Sequence, residues 1–532
     1  MGVPQLAPYI FKNYAMYYHL FNHSTLELPP RFSVDNFYID ANALIHNEAQ
    51  TVYNYGNGVS LMYDEMYGSF SDEELEEECF GRFMCKIRDL VNYISPKKLV
   101  YITLDGTAPL AKQAQQRRRR FVSARNPAAT RFNTNNLTTG TEYMKRLNKY
   151  IDKNISVLKG LKRKVIVFSG QSSPGEGEHK ILDFIRERCQ FDEEFKNKQS
   201  HCIFSPDGDL FMLTLALDVK EIYLFRQGNE PCTFDFLEMS PIKRCVSSGY
   251  LNFIFMGVFL GNDFLPKIQM FSNLNDSIKE MISIPESNDL VDPATLTVRW
   301  KSFRNFIKRL REREPSKLYN NNLRYSSRDP KFENKTLNNC IVTSAGGGGP
   351  VSNGGPTSGG WLNFKKYREL YYQKFASSGG GSGEVNINNI CKTYVDTILW
   401  NFDYYTRGVN YSSWEIYYPY HYAPLMYDLD RWCTSFENYR VRYLPSRPST
   451  MIEQLVSVLP PSSSDLVPEK FRHLLRGTLD FEIDYEGKFK DYQAITKIEF
   501  IDNQNIRSAV SDISTTEDCE LHSPQLSEII YY

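Results

Sequence analysis

Phe37-Tyr38-Ile39-Asp40 is a short apolar run that ends on an aspartate, and the pattern returns twice further along the chain. Tyr101-Ile102-Thr103-Leu104 leads into Asp105, and Cys202-Ile203-Phe204 leads into Asp207-Gly208-Asp209. Short apolar runs separated by charged, helix-like stretches are typical of buried strands in a parallel α/β sheet. Ligands bind such sheets beyond the carboxyl ends of the strands. The sequence therefore predicts that these aspartates gather in one crevice.

Two further acidic groups follow, at Glu176-Gly177-Glu178-His179 and at Gly261-Asn262-Asp263-Phe264. Carboxylates that share one crevice repel each other, and each is costly to remove from water. Hard divalent cations with oxygen ligands, Mg²⁺ or Mn²⁺, would compensate that charge. The acidic residues together predict a metal-dependent enzyme of phosphoryl transfer.

Each acidic residue also has a purely structural interpretation. A single aspartate at the end of a strand commonly forms a turn or caps a helix, and acids are common in the first turn of a solvated helix. Asp207-Gly208-Asp209 is by itself compatible with a tight turn. All of these residues fall at strand–helix junctions of the same predicted sheet, and that joint placement favours the metal site.

The composition excludes several classes of protein. With 41% hydrophobic and 14% aromatic residues, the chain is too apolar to be disordered. No run approaches the roughly 18 apolar residues of a membrane span, and the first residues lack the features of a secretory signal. Ten cysteines without a CxxC pair favour reduced thiols over a zinc ribbon or a disulfide framework. We therefore expect no membrane partner and a cytoplasmic location, with the nucleus as the alternative.

One basic run stands out against a net charge of only −1. On a helix, Lys112, Gln116, Arg119 and Arg120 are spaced i, i+4, i+7 and i+8 and share one face. A solvated basic surface and a nuclear-localisation patch are the plain interpretations. Because the run follows Asp105 closely, it also predicts an anion pocket beside the metals. Planar guanidinium groups suit a terminal 5′-phosphate.

The alternating runs predict an α/β fold with a mostly parallel central sheet flanked by helices. Residues 165–168 and 222–225 are further predicted strands, and residues 251–260 form a predicted core helix. Gly- and Ser-rich tracts within residues 336–383 predict a flexible loop or linker around a short aromatic-basic helix at 361–375. Residues 384–532 are rich in aromatic side chains and predict a helical extension that wraps the sheet.

Several motifs resemble those of the Xrn-type 5′→3′ exoribonucleases, in a minimal catalytic-core form. In chain order they are Met1-Gly2-Val3-Pro4, residues 35–47, residues 105–112, Gln115-Gln116 with the arginine run to Phe121, residues 140–144, residues 174–180 and residues 261–266. A second block follows at residues 404–409, 417–424 and 453–460. The order and spacing agree over most of the chain.

This resemblance implies a nuclease domain at residues 1–335, of the PIN or flap-nuclease type, whose pocket is completed by residues 384–532. It implies two Mg²⁺ ions, with Mn²⁺ as a substitute, held by the catalytic acids Asp40, Asp105, Glu176, Glu178, Asp207, Asp209 and Asp263. The family's pocket for the 5′-monophosphate maps to Lys112, Gln116, Arg119 and Arg120, and its base-stacking histidine maps to His46.

The chain departs from the family pattern at a few positions. Gly208 stands where an alanine is usual between the two aspartates, and Ile416 replaces the second tryptophan of a motif that keeps Trp414. Trp400 and Trp414 are candidates for stacking on RNA or for packing in the core.

The implied function is processive hydrolysis of 5′-monophosphorylated single-stranded RNA to 5′-mononucleotides, in mRNA decay after decapping. We expect a monomer, with a decapping enzyme as a partner. Two alternatives stay open: a flap-type 5′ DNA nuclease and a catalytically inactive RNA-binding scaffold. The second block favours RNA over flap DNA. The many carboxylates favour an enzyme over a scaffold, because a site without metals has no physical reason to crowd them.

Overall fold

The computed structural model describes residues 5–22, 28, 31–60, 62–125, 131–155, 158, 164–228, 233–246, 248–325, 329–343, 360–376, 385–488, 490–514 and 529–531. The strands are β1 (Tyr18–Asn22), β2 (Asn36–Asp40), β3 (Leu99–Thr103), β4 (Val165–Ser169), β5 (Ser200–Phe204), β6 (Glu221–Gln227), β7 (Thr233–Glu238), β8 (Val291–Asp292), β9 (Thr297–Val298), β10 (Ile341–Thr343), β11 (Gly360–Leu362), β12 (Glu482–Asp484), β13 (Ile495–Lys497) and β14 (Ile529–Tyr531).

The helices are α1 (Leu6–Asn13), α2 (Asn42–Val52), α3 (Tyr63–Tyr67), α4 (Asp72–Ile94), α5 (Leu110–Arg125), α6 (Glu142–Asn154), α7 (Gly177–Phe191), α8 (Glu193–Asn197), α9 (Leu210–Leu215), α10 (Met239–Cys245), α11 (Tyr250–Val258), α12 (Leu274–Ile282), α13 (Trp300–Tyr325), α14 (Lys335–Asn338), α15 (Phe364–Ala376), α16 (Ile387–Arg407), α17 (Met426–Thr434), α18 (Met451–Val458) and α19 (Asn503–Ile513). Within the described ranges, none of them combines the length and the apolar character that a bilayer crossing needs.

One large sheet runs through the molecule in the order β1-β7-β6-β5-β2-β3-β4-β14. The five central strands β6, β5, β2, β3 and β4 pair in parallel with one another, whereas β1, β7 and β14 at the two edges pair antiparallel. The predicted mostly parallel sheet is confirmed, and the five strands predicted from the sequence are its parallel members. The core helix predicted at 251–260 is also confirmed, as α11.

The sheet is covered on both faces, which explains why its strands are almost continuously apolar. Every residue of β2 is buried, and successive side chains point to opposite faces. Phe37 belongs to one hydrophobic core, which α2, α4 and α6 complete, whereas Tyr38 belongs to a second core with α7, α11 and α16. Because α16 lies in the C-terminal half, that half shares a core with the sheet.

Packed structure interrupts the linker predicted at 336–383. The helix predicted at 361–375 is present as α15, which spans Phe364–Ala376. Its Tyr367, Tyr371 and Tyr372 are buried in the same core as Tyr38. The Gly- and Ser-rich tracts on either side of it fall at 344–359 and 377–384, outside the described residues. The stretch between the tracts is therefore packed into the fold, and the domain boundaries at 335 and 384 stay predictions.

Glu314 on α13 is a buried carboxylate that joins two helices. It accepts the backbone N–H groups of Met426 at 2.7 Å and Tyr427 at 2.9 Å, the first two residues of α17. These donors would otherwise lack a partner at the start of the helix. Burial raises the pKa of Glu314 to about 8, although the two N–H donors oppose the shift.

We expect Glu314→Gln to change how stability depends on pH. Because the folded-state pKa is raised from 4.5 to about 8, the folded protein keeps a proton that the unfolded chain releases. The wild type should therefore lose stability as the pH rises through that interval, whereas the neutral amide should not. In thermal melts, the Tm of the variant minus that of the wild type should increase from about pH 5 to about pH 8.5.

Glu312→Gln, exposed on the same helix, is the matched control and should give a difference that does not change with pH. An equally flat difference for Glu314→Gln would contradict the raised pKa.

Candidate active site

The seven acidic residues predicted as ligands lie together, beyond the carboxyl ends of the parallel strands. They are Asp40 at the end of β2, Asp105 after β3, Glu176 and Glu178 at the start of α7, Asp207 and Asp209 between β5 and α9, and Asp263 after α11. We call this group the acidic cluster. The fold therefore assembles it from loops that are far apart in sequence.

Among the described residues, two overlapping sets of side-chain atoms in and beside the acidic cluster are close enough to share a cation. Carboxylate oxygens of Asp40, Asp105 and Glu178 lie within 4.8 Å of one another. Ligand atoms of Glu176, Glu178 and His179 meet the same limit. Glu178 belongs to both sets and so links them. His179 was not among the predicted ligands.

Burial and repulsion shift the protonation of the cluster. Burial raises the pKa of Asp40 to about 7, and the neighbouring Asp105 and Asp207 add to the rise. Burial likewise raises the pKa of Asp209 to about 7, with Asp263 and Asp207 adding to it. These are the conditions under which a bound divalent cation stabilises carboxylates, because its charge cancels their repulsion.

Lys112 on α5 places an ammonium group among these acids. Its Nζ lies 2.6 Å from Glu176 Oε2 and 3.1 Å from Asp263 Oδ2. Burial would lower the pKa of Lys112, but the acids, led by Glu176 and Asp263, outweigh burial and hold that pKa well above its ordinary value. Burial would raise the pKa of Asp263, but cations led by Lys112 hold it at about 2. Lys112 thus offsets part of the negative charge.

The geometry of the acidic cluster fits divalent cations. Asp40 Oδ2 accepts a hydrogen bond from Ser205 Oγ at 2.8 Å, whereas no donor among the described residues is within hydrogen-bonding geometry of its buried Oδ1. The backbone N–H of Gly177 donates to Asp105 Oδ1 at 2.7 Å. A Cβ at Gly177 would lie only 2.7 Å from Asp40 Oδ1, so the glycine leaves room beside both carboxylates. Oxygen ligands around such a space are what Mg²⁺ and Mn²⁺ prefer.

Three polar residues that hold the acids in place were not predicted from the sequence. Lys180 Nζ donates to the carbonyls of Leu104 at 2.8 Å and Gly170 at 2.7 Å, which joins the ends of β3 and β4. The backbone N–H of Asp105 donates to Asn42 Oδ1 at 3.1 Å. The third is Ser205, already described. Lys180 and Ser205 stand within two residues of predicted ligands, but only the fold shows which groups they contact.

The predicted basic face of α5 extends from the acidic cluster toward His46. Gln116 is buried, Arg119 is exposed, and Arg120 donates from Nε to Thr138 Oγ1 at 2.8 Å. Burial lowers the pKa of His46 to about 3, and the nearby Arg119 and Arg120 lower it further. The imidazole is therefore neutral at neutral pH and lies beside both arginines. The roles in binding phosphate and base stay predictions.

The two tryptophans considered for stacking on RNA are both largely buried. Trp400 has no exposed surface, and its Nε1 donates to the carbonyl of Ser413 at 2.7 Å. Trp414 is only 9% exposed, and its own carbonyl accepts the N–H of Leu110 at 2.8 Å. The ring of Trp400 therefore has no surface open to a nucleobase, which supports core packing for this residue. A stacking role for Trp414 stays a prediction.

We expect Gly177→Ala to weaken metal binding while the protein still folds. The added methyl would press on the carboxylate of Asp40 and on the hydroxyl of Thr103, and would move the Asp40 oxygen out of place. Changes to the groups that support metal ligands typically weaken metal affinity by about tenfold or more. Titration calorimetry would measure the affinity of the variant for Mn²⁺. Gly81→Ala on α4 is the control, because its Cβ would have a single neighbour, at 3.7 Å. Equal Mn²⁺ affinity in the wild type and both variants would contradict the assignment of this space to a cation.

Comparison with known proteins places the chain in a family. A family model described as the XRN 5′-3′ exonuclease N-terminus matches residues 1–228, and one described as the Xrn1 helical domain matches residues 358–521. Among solved structures, the catalytic core of Rad2 in complex with DNA substrate has a TM-score of 0.33 and 16% identity, over 60% of this chain and 81% of that chain.

Two relatives named 5′-3′ exoribonuclease 1 are similar to this chain over most of its length. Human 5′-3′ exoribonuclease 1 is 25% identical over 96% of this chain and 34% of its own length. The Saccharomyces cerevisiae 5′-3′ exoribonuclease 1 is also 25% identical, over 96% of this chain and 43% of its own. The chain thus spans less than half the length of these two relatives. The two family models together match most of the residues of this chain, and they match them in chain order. The chain therefore belongs to the XRN 5′-3′ exonuclease family.

Proposed function

We propose that this protein is a metal-dependent 5′→3′ exoribonuclease that acts on single-stranded RNA with a 5′-monophosphate. The observation that carries the proposal is the direct contact between the acidic cluster and the basic face of α5. Lys112 touches both Glu176 and Asp263, and the same helix face continues to Arg119, Arg120 and the neighbouring His46. A cation site thus adjoins an anion site, as cleavage next to a terminal phosphate requires.

The acidic cluster would hold two Mg²⁺ ions, or Mn²⁺ in their place. Bound there, such ions supply an activated water and stabilise the leaving 3′-oxygen. The residues of the chain provide the rest. The ions would be held by Asp40, Asp105, Glu176 and Glu178. Gly177 keeps the space beside the carboxylates of Asp40 and Asp105 open.

The basic face of α5 would receive the 5′-monophosphate. Arg119 is exposed and available to a ligand, whereas Arg120 is fixed by Thr138. His46, kept neutral beside these cations, presents a flat ring that suits a nucleobase. Because hydrolysis leaves a new 5′-monophosphate on the shortened RNA, the same pocket would accept that end again, which favours processive action. We expect the protein to act as a monomer.

A pocket built for one phosphate would exclude a cap or a triphosphate. The substrate would then come from a decapping enzyme or from an endonuclease, and the physiological role would lie in the decay of mRNA. The relatives named 5′-3′ exoribonuclease support the direction of cleavage and RNA as the substrate of this proposal.

The proposal is tested with a 3′-labelled RNA that carries a 5′-monophosphate, a triphosphate, a cap or a 5′-hydroxyl group. We expect 5′-mononucleotides from the monophosphorylated form, no turnover in EDTA, and recovery with Mg²⁺ or Mn²⁺. Full activity in EDTA would reject the metal mechanism. Faster cleavage of a matched flap DNA would favour a flap nuclease, and RNA binding without cleavage would favour a scaffold.

Asp207→Ala should abolish turnover while RNA binding stays measurable, because a carboxylate of the acidic cluster is lost and the basic face of α5 is kept. Asp218→Ala is the control, since Asp218 is exposed and lies outside the cluster. Single-turnover rates and filter binding on the same RNA would measure both effects. Normal turnover by Asp207→Ala would remove this residue from the site.

Replacing both Arg119 and Arg120 with alanine should abolish the preference for a 5′-monophosphate over a 5′-hydroxyl end. The guanidinium groups are the expected partners of that phosphate. The ratio of kcat/KM for the two RNA ends is the measurement. Arg125→Ala, on the same helix but hydrogen-bonded to the carbonyl of Phe481, should leave the ratio unchanged. A wild-type ratio in the double variant would reject the pocket.

A further inference from the structure

Three aromatic rings form a stack between the C-terminal half and the acidic cluster. Tyr404 on α16 lies between His179 on α7, at a ring distance of 3.7 Å and 15° from parallel, and Trp400, at 5.0 Å and 12°. Trp400 and Tyr404 have no exposed surface, and His179 is only 2% exposed. The stack thus fixes the Tyr404 ring from both faces and leaves it little freedom to turn.

The hydroxyl group of Tyr404 points at a predicted metal ligand. Its Oη donates to Glu176 Oε1 at 2.9 Å, while the other oxygen of the same carboxylate, Oε2, lies 2.6 Å from Lys112 Nζ. One oxygen of Glu176 is therefore held from outside the acidic cluster, and the second is turned toward it. The donor belongs to the C-terminal half, whereas the carboxylate stands at the start of α7.

A second contact fixes the two helices that carry these groups. Arg186 on α7 donates from Nη2 to the carbonyl of Tyr405 at 2.7 Å, and its Nη1 lies 2.8 Å from Asp183 Oδ1. Tyr405, the residue after Tyr404, is thereby attached to Arg186, which lies about two helical turns after Glu178 on α7. The position of the Tyr404 hydroxyl relative to Glu176 is set by this contact and by the ring stack together.

From this geometry we infer that Tyr404 is a positioning residue that orients Glu176 for metal binding, with Trp400 and His179 as the supports of its ring. The inference rests on the proposed function, since it assigns a metal ligand role to Glu176. It gives Trp400 a role different from contact with RNA: Trp400 acts on the acidic cluster through Tyr404. Groups that hydrogen-bond to metal ligands commonly tune the affinity of a site in this way.

Tyr404→Phe tests the inference, because it removes the hydroxyl group and keeps the ring in the stack. We expect the Kd for Mn²⁺, measured by titration calorimetry on the full chain, to rise by about tenfold or more. RNA turnover should fall at low Mn²⁺ and recover toward the wild-type kcat as Mn²⁺ is raised. A loss of packing alone would not be rescued by the ion.

Tyr394→Phe is the matched control. Tyr394 is also buried on α16, and its Oη donates to a backbone carbonyl, that of Pro266, at 2.9 Å. Tyr394→Phe should lower the Tm by about as much as Tyr404→Phe does, because each substitution removes one buried hydrogen bond. It should leave the Kd for Mn²⁺ within about twofold of the wild type, because the lost bond involves no predicted metal ligand.

The outcomes separate the inference from the proposed function. If the wild type binds Mn²⁺ and Tyr404→Phe binds it equally well, the positioning role is wrong and the metal site stands. If the wild type binds no Mn²⁺, the proposed metal site itself fails. Should Tyr404→Phe not fold, Trp400→Phe replaces it: the smaller ring loosens the stack while the hydroxyl group stays, and unchanged Mn²⁺ affinity would overturn the inference.

Discussion

Repulsion among carboxylates held in one place is the interaction on which the arrangement of the site depends. Parallel strands end at the same edge of the sheet, so aspartates at the end of β2 and just after β3 and β5 are brought together whatever their charge. The surrounding structure compensates: Lys112 enters the acidic cluster, and backbone or hydroxyl donors fix Asp105 and Asp40. In the described part of the chain no group donates a hydrogen bond to Asp40 Oδ1, and the proposed cation would compensate that oxygen.

Helix α5 serves two purposes with adjacent arginines. Arg117 donates to the carbonyls of Ser457, Arg476 and Glu499 and thereby attaches the helix to the C-terminal half. Arg119, two residues later, is exposed on the face that adjoins the acidic cluster. A run of four arginines is therefore not one uniform patch, because each step of about 100° along a helix turns a side chain toward different surroundings.

The C-terminal half is tied to the sheet by a shared core and by polar contacts at the site. Gln454 on α18 accepts the N–H of Ala108, just before α5, and Ser449 accepts a hydrogen bond from Gln113. Tyr404 reaches Glu176 from α16. The aromatic residues of this half act mainly by packing, as Trp400 illustrates, since burial of large rings is what holds α16 against α7.

The sequence by itself determined the parallel strands and which acidic residues gather beyond them, because short apolar runs separated by charged stretches are typical of a buried parallel sheet whose strands end at one edge. It also indicated the basic face, since helical spacing follows from local geometry alone. Only the tertiary structure decided that Lys112 lies between Glu176 and Asp263, that Trp400 is covered on every side, and that Tyr404 contacts a carboxylate 228 residues earlier in the chain. Contacts between distant segments depend on how whole helices pack, and no local pattern of residues records that packing.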